Sequence, residues 1–174
     1  MSDTSADVPR SADGVAWLEG RYHIDLEPAA ERAIRAAGIA WQDEPEAQRQ
    51  LALAASIAPD HMAVLIAHYR YNLYKHRYAP AQDYALRILI ALAHRLGIPA
   101  DWQDAGSGDA DFGSDNPDIR AWLFVLQAYG YVLLRLGRRE QGMAALQRLV
   151  TLDSGDQTKT RALLRVIAHA GRDD

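Results

Sequence analysis

Histidine and aspartate side chains are the residues of this chain best suited to binding a metal ion. His61 and His68 are seven residues apart, so they would share one face of a helix, and Asn72 follows His68 by four. Neither histidine belongs to a His-Glu-x-x-His pair or to a set of three zinc ligands. The aspartates between Asp101 and Asp118 are oxygen ligands of the kind calcium prefers, but they lack calcium-hand spacing. We therefore expect no metal and no cofactor.

Nucleophilic catalysis has no more support in the residue pattern. The chain has no cysteine, and none of its serines lies in a Gly-x-Ser-x-Gly elbow. Gly106-Ser107-Gly108 resembles a phosphate-binding loop only in its glycines, because no Lys-Ser or Lys-Thr follows. We expect a protein that is not an enzyme.

Interleaved tyrosines and cations could instead bind a nucleic acid. Tyr69, Tyr71, Tyr74 and Tyr78 alternate with arginine, lysine and histidine, a pattern that can stack on single-stranded bases. On one helix these side chains point in all directions, so some of them belong to the core. The whole chain carries 19 Lys and Arg against 23 Asp and Glu, a net charge of −4, which argues against a nucleic-acid partner.

Length and composition also indicate the number of domains and the cellular location. The chain has 174 residues, 49% of them hydrophobic, which suits one domain with its own core. No hydrophobic run approaches the roughly 20 residues that span a bilayer. The first residues are acidic and polar, unlike a secretory signal. We expect a cytoplasmic bacterial protein with no membrane contact.

Helical patterns occupy nearly the whole chain after residue 27. Gly97 and Gly137 mark helix ends, while Asp60 and Asn116 are expected N-caps. No alternating strand pattern remains, so we predict an all-α protein with about seven helices, over residues 29–40, 45–58, 61–76, 80–96, 117–136, 139–152 and 156–170.

The remaining segments are interpreted by composition. Residues 1–13 hold Ser, Asp, Ala and Thr with one sizeable apolar side chain, and they predict a disordered tail. Residues 14–26 form a segment of unclear structure. Residues 101–115, rich in Gly, Asp and Ser, predict a loop.

One spacing of small and large residues recurs along the helices. The second helix has this spacing at Ala47, Leu51 and Ala54. The fourth helix has it 34 residues later, at Ala81, Ala85 and Ile88. The sixth helix has it after a further 34 plus 27 residues, at Gly142, Leu146 and Leu149. The small residues would let two helices approach closely, and the large ones would fill the seam between them. The extra 27 residues match an insertion over residues 96–122.

This repeat resembles the tetratricopeptide repeat family. The third copy matches the family pattern best, with Leu126-x2-Tyr129-Gly130-x2-Leu133 followed by Gly142-x3-Leu146. The resemblance implies an α-solenoid of three helical hairpins over residues 27–174, closed by a C-terminal capping helix at residues 156–170.

The resemblance also implies a concave groove lined by the first helix of each hairpin. The family's groove positions fall on Arg32, Ile66, Arg70, Tyr74, Gln127, Tyr131 and Arg135. Arginine and tyrosine are frequent at interfaces, so an Arg/Tyr-lined groove for a partner segment that carries carboxylates is expected. The alternative is that the tyrosines belong partly to the core and the arginines only solvate a helix face.

Three functions from different classes follow from these features. The first is an adaptor or assembly factor that binds a protein segment. The second is a substrate chaperone, because small acidic three-repeat proteins resemble bacterial secretion chaperones. The third is a regulator that docks on a folded enzyme. Residues 64–71 and 96–102 resemble small bacterial repeat proteins associated with nitrogen fixation.

The Asp-rich loop over residues 101–118 is longer than ordinary helix connections. We expect a mobile acidic excursion at one edge of the fold. Trp102 and Phe112 either anchor this loop or contact a partner.

Overall fold

Seven α-helices make up the part of the chain that the structure, a computed structural model, describes: residues 21–170. They are α1 (Pro28–Ile39), α2 (Glu44–Ile57), α3 (Met62–Tyr74), α4 (Tyr78–Leu96), α5 (Pro117–Arg135), α6 (Arg139–Leu152) and α7 (Thr160–Ala170). No strand occurs within these residues, and the all-α prediction is confirmed. The predicted tail over residues 1–13 lies outside the described residues, as do residues 14–20.

Side-chain caps begin several of these helices. The carboxylate of Asp43 accepts from the backbone N–H of Glu46 at 3.2 Å, which starts α2. The side-chain oxygen of Asn116 accepts from the backbone N–H of Asp118 at 2.9 Å, which confirms its predicted capping role. The Asp60 prediction is wrong. Asp60 pairs with an arginine of α4 at 3.0 Å, and the His61 ring nitrogen caps α3 instead.

The last helix begins later than the sequence pattern indicates. The buried carboxylate of Asp153 accepts from the backbone N–H and from the hydroxyl of Thr158, both at 2.8 Å. These bonds hold residues 153–159 in a turn. Asp156 and Lys159 have positive φ values of 52° and 58°, which an α-helix does not contain. For this reason α7 starts at Thr160 rather than at Asp156.

Helices that follow one another in sequence pack against one another. The most extensive contacts join α1 with α2, α3 with α4, α4 with α5, and α5 with α6. The contact between α2 and α3 is much smaller. The small and the large residues of the predicted seam are buried: Ala47, Leu51, Ala81, Ile88, Leu146 and Leu149.

Two glycines set the distance between α5 and α6. A Cβ atom on Gly142 would lie 2.8 Å from Cγ of Leu134 and 2.9 Å from the carbonyl oxygen of Gly130. A Cβ atom on Gly130 would lie 2.9 Å from Cγ of Leu146. All three distances are shorter than real Cβ contacts, so any side chain at either position would push the helices apart. The prediction that Gly142 allows a close approach is confirmed.

The segment before α1 contacts α4 and α5, which come much later in the chain. The Tyr22 hydroxyl donates to Asp118 at the start of α5, at 2.5 Å. The second oxygen of Asp118 accepts from Nε of Arg95 in α4 at 2.9 Å. The Arg95 guanidinium also lies over the Tyr22 ring, 5.5 Å from its centroid. Residues 21–26, unclear from sequence, therefore connect α1 to α4 and α5.

Candidate functional site

Four of the predicted groove residues, on α3 and α5, lie around the buried Tyr69 together with a tyrosine of α4. The Arg70 guanidinium carbon lies 5.7 Å from the centroid of the Tyr74 ring. The Arg135 guanidinium carbon lies 5.0 Å from the centroid of the Tyr78 ring, and Tyr131 lies beside both of these groups. We call Arg70, Tyr74, Tyr78, Tyr131 and Arg135 the arginine–tyrosine cluster.

A buried tyrosine lies beneath this cluster. The Tyr69 side chain is fully buried, and its hydroxyl has no hydrogen-bond partner among residues 21–170. Burial raises the pKa of Tyr69, and the neighbouring phenols of Tyr74 and Tyr131 raise it further. Burial also raises the pKa of Tyr131, although the adjacent Arg135 guanidinium opposes that rise. Tyr69 and Tyr131 therefore stay neutral near neutral pH.

An apolar pocket adjoins the cluster where α1, α2 and α3 meet. Its volume is about 220 Å³. We call it the Trp41 pocket, because the indole lies edge-on to the rings of Tyr71 and Tyr74, with centroids 5.5 Å and 6.3 Å away. Lys75 lies above the indole, 5.3 Å from its centroid. The lining residues are Ile34, Ala37, Gly38, Trp41, Leu51, Ala67, Arg70 and Tyr71.

Two predicted groove residues are wrong, because the structure buries them. Ile66 is 2% exposed and belongs to the same core cluster as Tyr22. Gln127 is also 2% exposed, and its amide nitrogen donates to the Thr158 carbonyl at 2.8 Å and to the Thr160 hydroxyl at 3.0 Å. The segment that follows α6 contacts Gln127, and the repeat pattern gave no sign of that contact.

A third predicted residue stands apart from the cluster. Arg32 is exposed on α1, and no contact within residues 21–170 joins it to the arginine–tyrosine cluster. Trp41 and Tyr78 were not among the predicted groove residues, yet they complete the surface. Their signal in the sequence is weak: each aromatic residue lies in or beside a short turn between two helices.

The Asp-rich loop is folded onto the helices rather than extended from them. Trp102 and Phe112 are 6% and 3% exposed. The Trp102 ring lies 6.2 Å from that of Tyr129, and the Phe112 ring lies 5.8 Å from that of Trp122. The prediction of a mobile excursion is therefore wrong, because the loop has its own hydrophobic anchors. Of the two roles considered for Trp102 and Phe112, the structure shows the anchoring one.

His68 of α3 contacts both α2 and α4, and it should make stability depend on pH. Its Nε2 donates to the Leu51 carbonyl at 2.9 Å, and its ring stacks on Tyr84 with centroids 4.4 Å apart. Burial lowers the pKa of His68, and the nearby Arg87 lowers it further, against the opposing effect of the Leu51 hydrogen bond. The unfolded chain therefore binds this proton at a higher pH than the native chain.

We expect the His68 contribution to be complete above the ordinary histidine pKa near 6.5 and to be lost as pH falls through the lower folded value. The measurement is the urea unfolding free energy between about pH 5 and about pH 7.5, for the wild type and for His68→Gln. The wild type should lose more stability on acidification than His68→Gln. The same substitution at His169, exposed on α7, serves as the control. Equal slopes in all three proteins would contradict this assignment.

Residues 21–170 lack two further features: a cluster of metal-ligating side chains and a helix that could span a membrane. This part of the chain holds no group of three or more His, Cys, Asp or Glu side chains placed to bind a metal ion. None of its helices combines the length and the hydrophobicity needed to cross a bilayer.

Comparison with known proteins gives one clear similarity. No protein-family model matches the chain, and no solved structure matches it. The chain is 37% identical, over 127 residues, to an uncharacterized 19.8 kDa protein in the nifW 5′ region of Azotobacter chroococcum mcd 1. The aligned region covers 72% of this chain and 71% of that protein. This chain therefore belongs to the same family as the Azotobacter chroococcum protein.

Proposed function

We propose that the chain is a non-catalytic, cytoplasmic protein-interaction module that holds a carboxylate-bearing segment of a partner protein on its arginine–tyrosine cluster. One observation carries the proposal: three helices from two hairpins bring two arginines and three tyrosines to a single face. Arginine and tyrosine are the residues that most often dominate binding energy at protein interfaces. Guanidinium groups bind carboxylates with paired hydrogen bonds.

The proposed architecture is a short solenoid of tetratricopeptide-like hairpins. Its support is the pairing of α1 with α2, α3 with α4, and α5 with α6, together with the recurring spacing in the second helix of each pair. The close approach of Gly130 and Gly142 is the contact that the family pattern requires of its small residues. In this arrangement α7 covers the last hairpin, as repeat arrays require of their terminal elements.

A second candidate function is a regulator or assembly factor that docks on a folded enzyme of nitrogen fixation. One observation favours it: the Azotobacter chroococcum relative is described by its position in the nifW 5′ region. The resemblance of residues 64–71 and 96–102 to proteins associated with nitrogen fixation points the same way. The substrate-chaperone alternative differs from both candidates, since it requires an apolar partner segment.

Charge reversal of the cluster tests the proposal. We expect Arg70→Glu/Arg135→Glu to weaken partner binding at least tenfold, because each change turns an attraction for carboxylates into a repulsion. The measurement is a cross-linked pull-down from native lysate, quantified by mass spectrometry, followed by affinity measurement with the captured protein. Helicity should be unchanged, since both side chains are at least partly exposed.

A matched variant controls for net charge. Arg161→Glu/Arg165→Glu makes the same change on exposed positions of α7, far along the chain from the cluster. One dominant protein that is lost only with the cluster variant supports the groove. A partner retained by both variants moves the interface elsewhere and removes the proposal. Greater sensitivity to Tyr131→Asp than to the arginine changes would favour the chaperone reading.

A further inference from the structure

The Trp41 pocket has the size and the walls of a site for one side chain. Its volume of about 220 Å³ lies below the roughly 300–1,000 Å³ of pockets that hold whole drug-sized ligands. Ile34, Leu51 and the indole of Trp41 supply apolar walls. The Tyr71 side chain is 3% exposed, and its hydroxyl has no hydrogen-bond partner within residues 21–170. Pockets of this kind hold the anchor residues of protein interfaces.

Two cations lie beside the pocket, and one of them is paired with a carboxylate. Arg70 forms part of the pocket wall and also belongs to the arginine–tyrosine cluster. Arg135, at the other end of that cluster, makes no ion pair with another side chain of residues 21–170. Lys75 lies over the indole, and its nearest carboxylate partner is Glu44 at 3.4 Å. A segment that reaches from the pocket to Arg135 therefore crosses a surface suited to carboxylates.

We propose that the partner's recognition element is a large apolar residue flanked by Asp or Glu, with the apolar side chain in the Trp41 pocket and the carboxylates on Arg70 and Arg135. This inference rests on the proposed groove and adds the chemistry of its ligand. Arg70 belongs to the pocket wall and Arg135 to the other end of the cluster. One carboxylate therefore lies beside the apolar anchor, and a second lies farther along the segment.

Selection from a phage-displayed library of random dodecapeptides tests this inference on the full chain. We expect the enriched peptides to share one large apolar residue with acidic neighbours. In a synthetic peptide of the enriched sequence, replacing the apolar residue by serine should weaken binding about tenfold to a hundredfold, the effect of burying one such side chain. Enriched peptides without a shared apolar residue would overturn the proposal.

Gly38 allows the pocket to be blocked without disturbing the core. A Cβ atom there meets nothing within 4 Å, so Gly38→Leu should fold and should fill the pocket. The Gly38→Leu protein should bind the enriched peptide weakly. Its affinity should match that of the wild-type protein for the peptide in which serine replaces the apolar residue. Gly38→Ala controls for the backbone change and should bind normally. If Gly38→Leu loses helicity, Ala67→Leu blocks the same pocket from α3.

Two results separate the pocket from the groove, and two others bear on the whole proposal. Tight binding by Gly38→Leu overturns the pocket and leaves the groove. Unchanged binding by Arg70→Glu/Arg135→Glu overturns the groove, even where the apolar anchor is still required. No enrichment above an uncoated surface overturns both. A wild-type dimer that dissociates in Gly38→Leu, seen by light scattering, would place a second copy in the pocket and reject the acidic segment.

Discussion

Gly142→Val is expected to lower the free energy of unfolding by about 3 kcal/mol, a large part of the roughly 5–15 kcal/mol that stabilises a domain. The first added atom would meet Leu134 at 2.8 Å and the Gly130 carbonyl oxygen at 2.9 Å. The leucine can move, but the carbonyl belongs to the backbone of α5. The helices must therefore separate, and the buried contacts along their seam are lost. Urea denaturation followed by circular dichroism measures the effect.

Gly38→Val provides the matched control for this substitution. Gly38 is also helical, and the space around it is open within 4 Å. Valine has a higher helix propensity than glycine by a few tenths of a kcal/mol, so Gly38→Val should leave stability unchanged or raise it slightly. Equal destabilisation at both positions would show that helix packing is not the cause.

Phe112→Ala is expected to lower the free energy of unfolding by about 3–4 kcal/mol. Phe112 is 3% exposed and packs on Trp122, which is itself 1% exposed. Removing the ring leaves a cavity between the Asp-rich loop and α5. Urea denaturation gives the loss in stability. Hydrogen exchange should show that residues 100–116 lose protection before the helices do.

Asp115→Ala tests whether the acidic side chains or the buried aromatic side chains of the Asp-rich loop stabilise the protein. The Asp115 side chain is fully exposed, and its contact with Arg120 is long, at 3.9 Å. Exposed ion pairs of this kind contribute about 0–1 kcal/mol, so Asp115→Ala should be nearly neutral. A large effect of Asp115→Ala together with a small effect of Phe112→Ala would mean that the acidic surface, and not the aromatic anchor, organises the loop.

Much of the fold could be predicted from local patterns. The helices were predictable because prolines and caps such as Asn116 act within one turn, and because apolar residues recur at helical spacing. The burial of Ala47, Ala81 and Gly142 was predictable because a repeat places equivalent residues in equivalent contacts. The late start of α7 was not, since it depends on the carboxylate of Asp153 and on positive φ values after it.

The candidate site was predictable only where the repeat determines it. Arg70, Tyr74, Tyr131 and Arg135 lie at groove positions that the tetratricopeptide resemblance implies, and each is at least partly exposed. Ile66 and Gln127 lie at the same kind of position but are buried, and Gln127 contacts Thr158, 31 positions away. Contacts over such distances leave no mark in a local pattern.

The aromatic residues of the turns illustrate the same limit. Trp41 closes a pocket because α1, α2 and α3 converge around it, and the sequence near Trp41 shows nothing of that convergence. The sequence left open whether Phe112 anchors its loop or contacts a partner, because Trp122, on which it packs, lies on the following helix. Both roles required the three-dimensional arrangement of the helices.

The hydrogen bond between Tyr22 and Asp118 affects how this protein should unfold. In a repeat protein each repeat contacts only its neighbouring repeats, so the terminal repeats can unfold while the central repeats stay folded. Here one hydrogen bond joins residues that are 96 positions apart, and it links the segment before α1 to the start of α5. Tyr22 cannot leave this position without losing both that bond and the Arg95 guanidinium over its ring. The described part of the chain should therefore unfold as one cooperative unit, like a globular domain rather than a linear array.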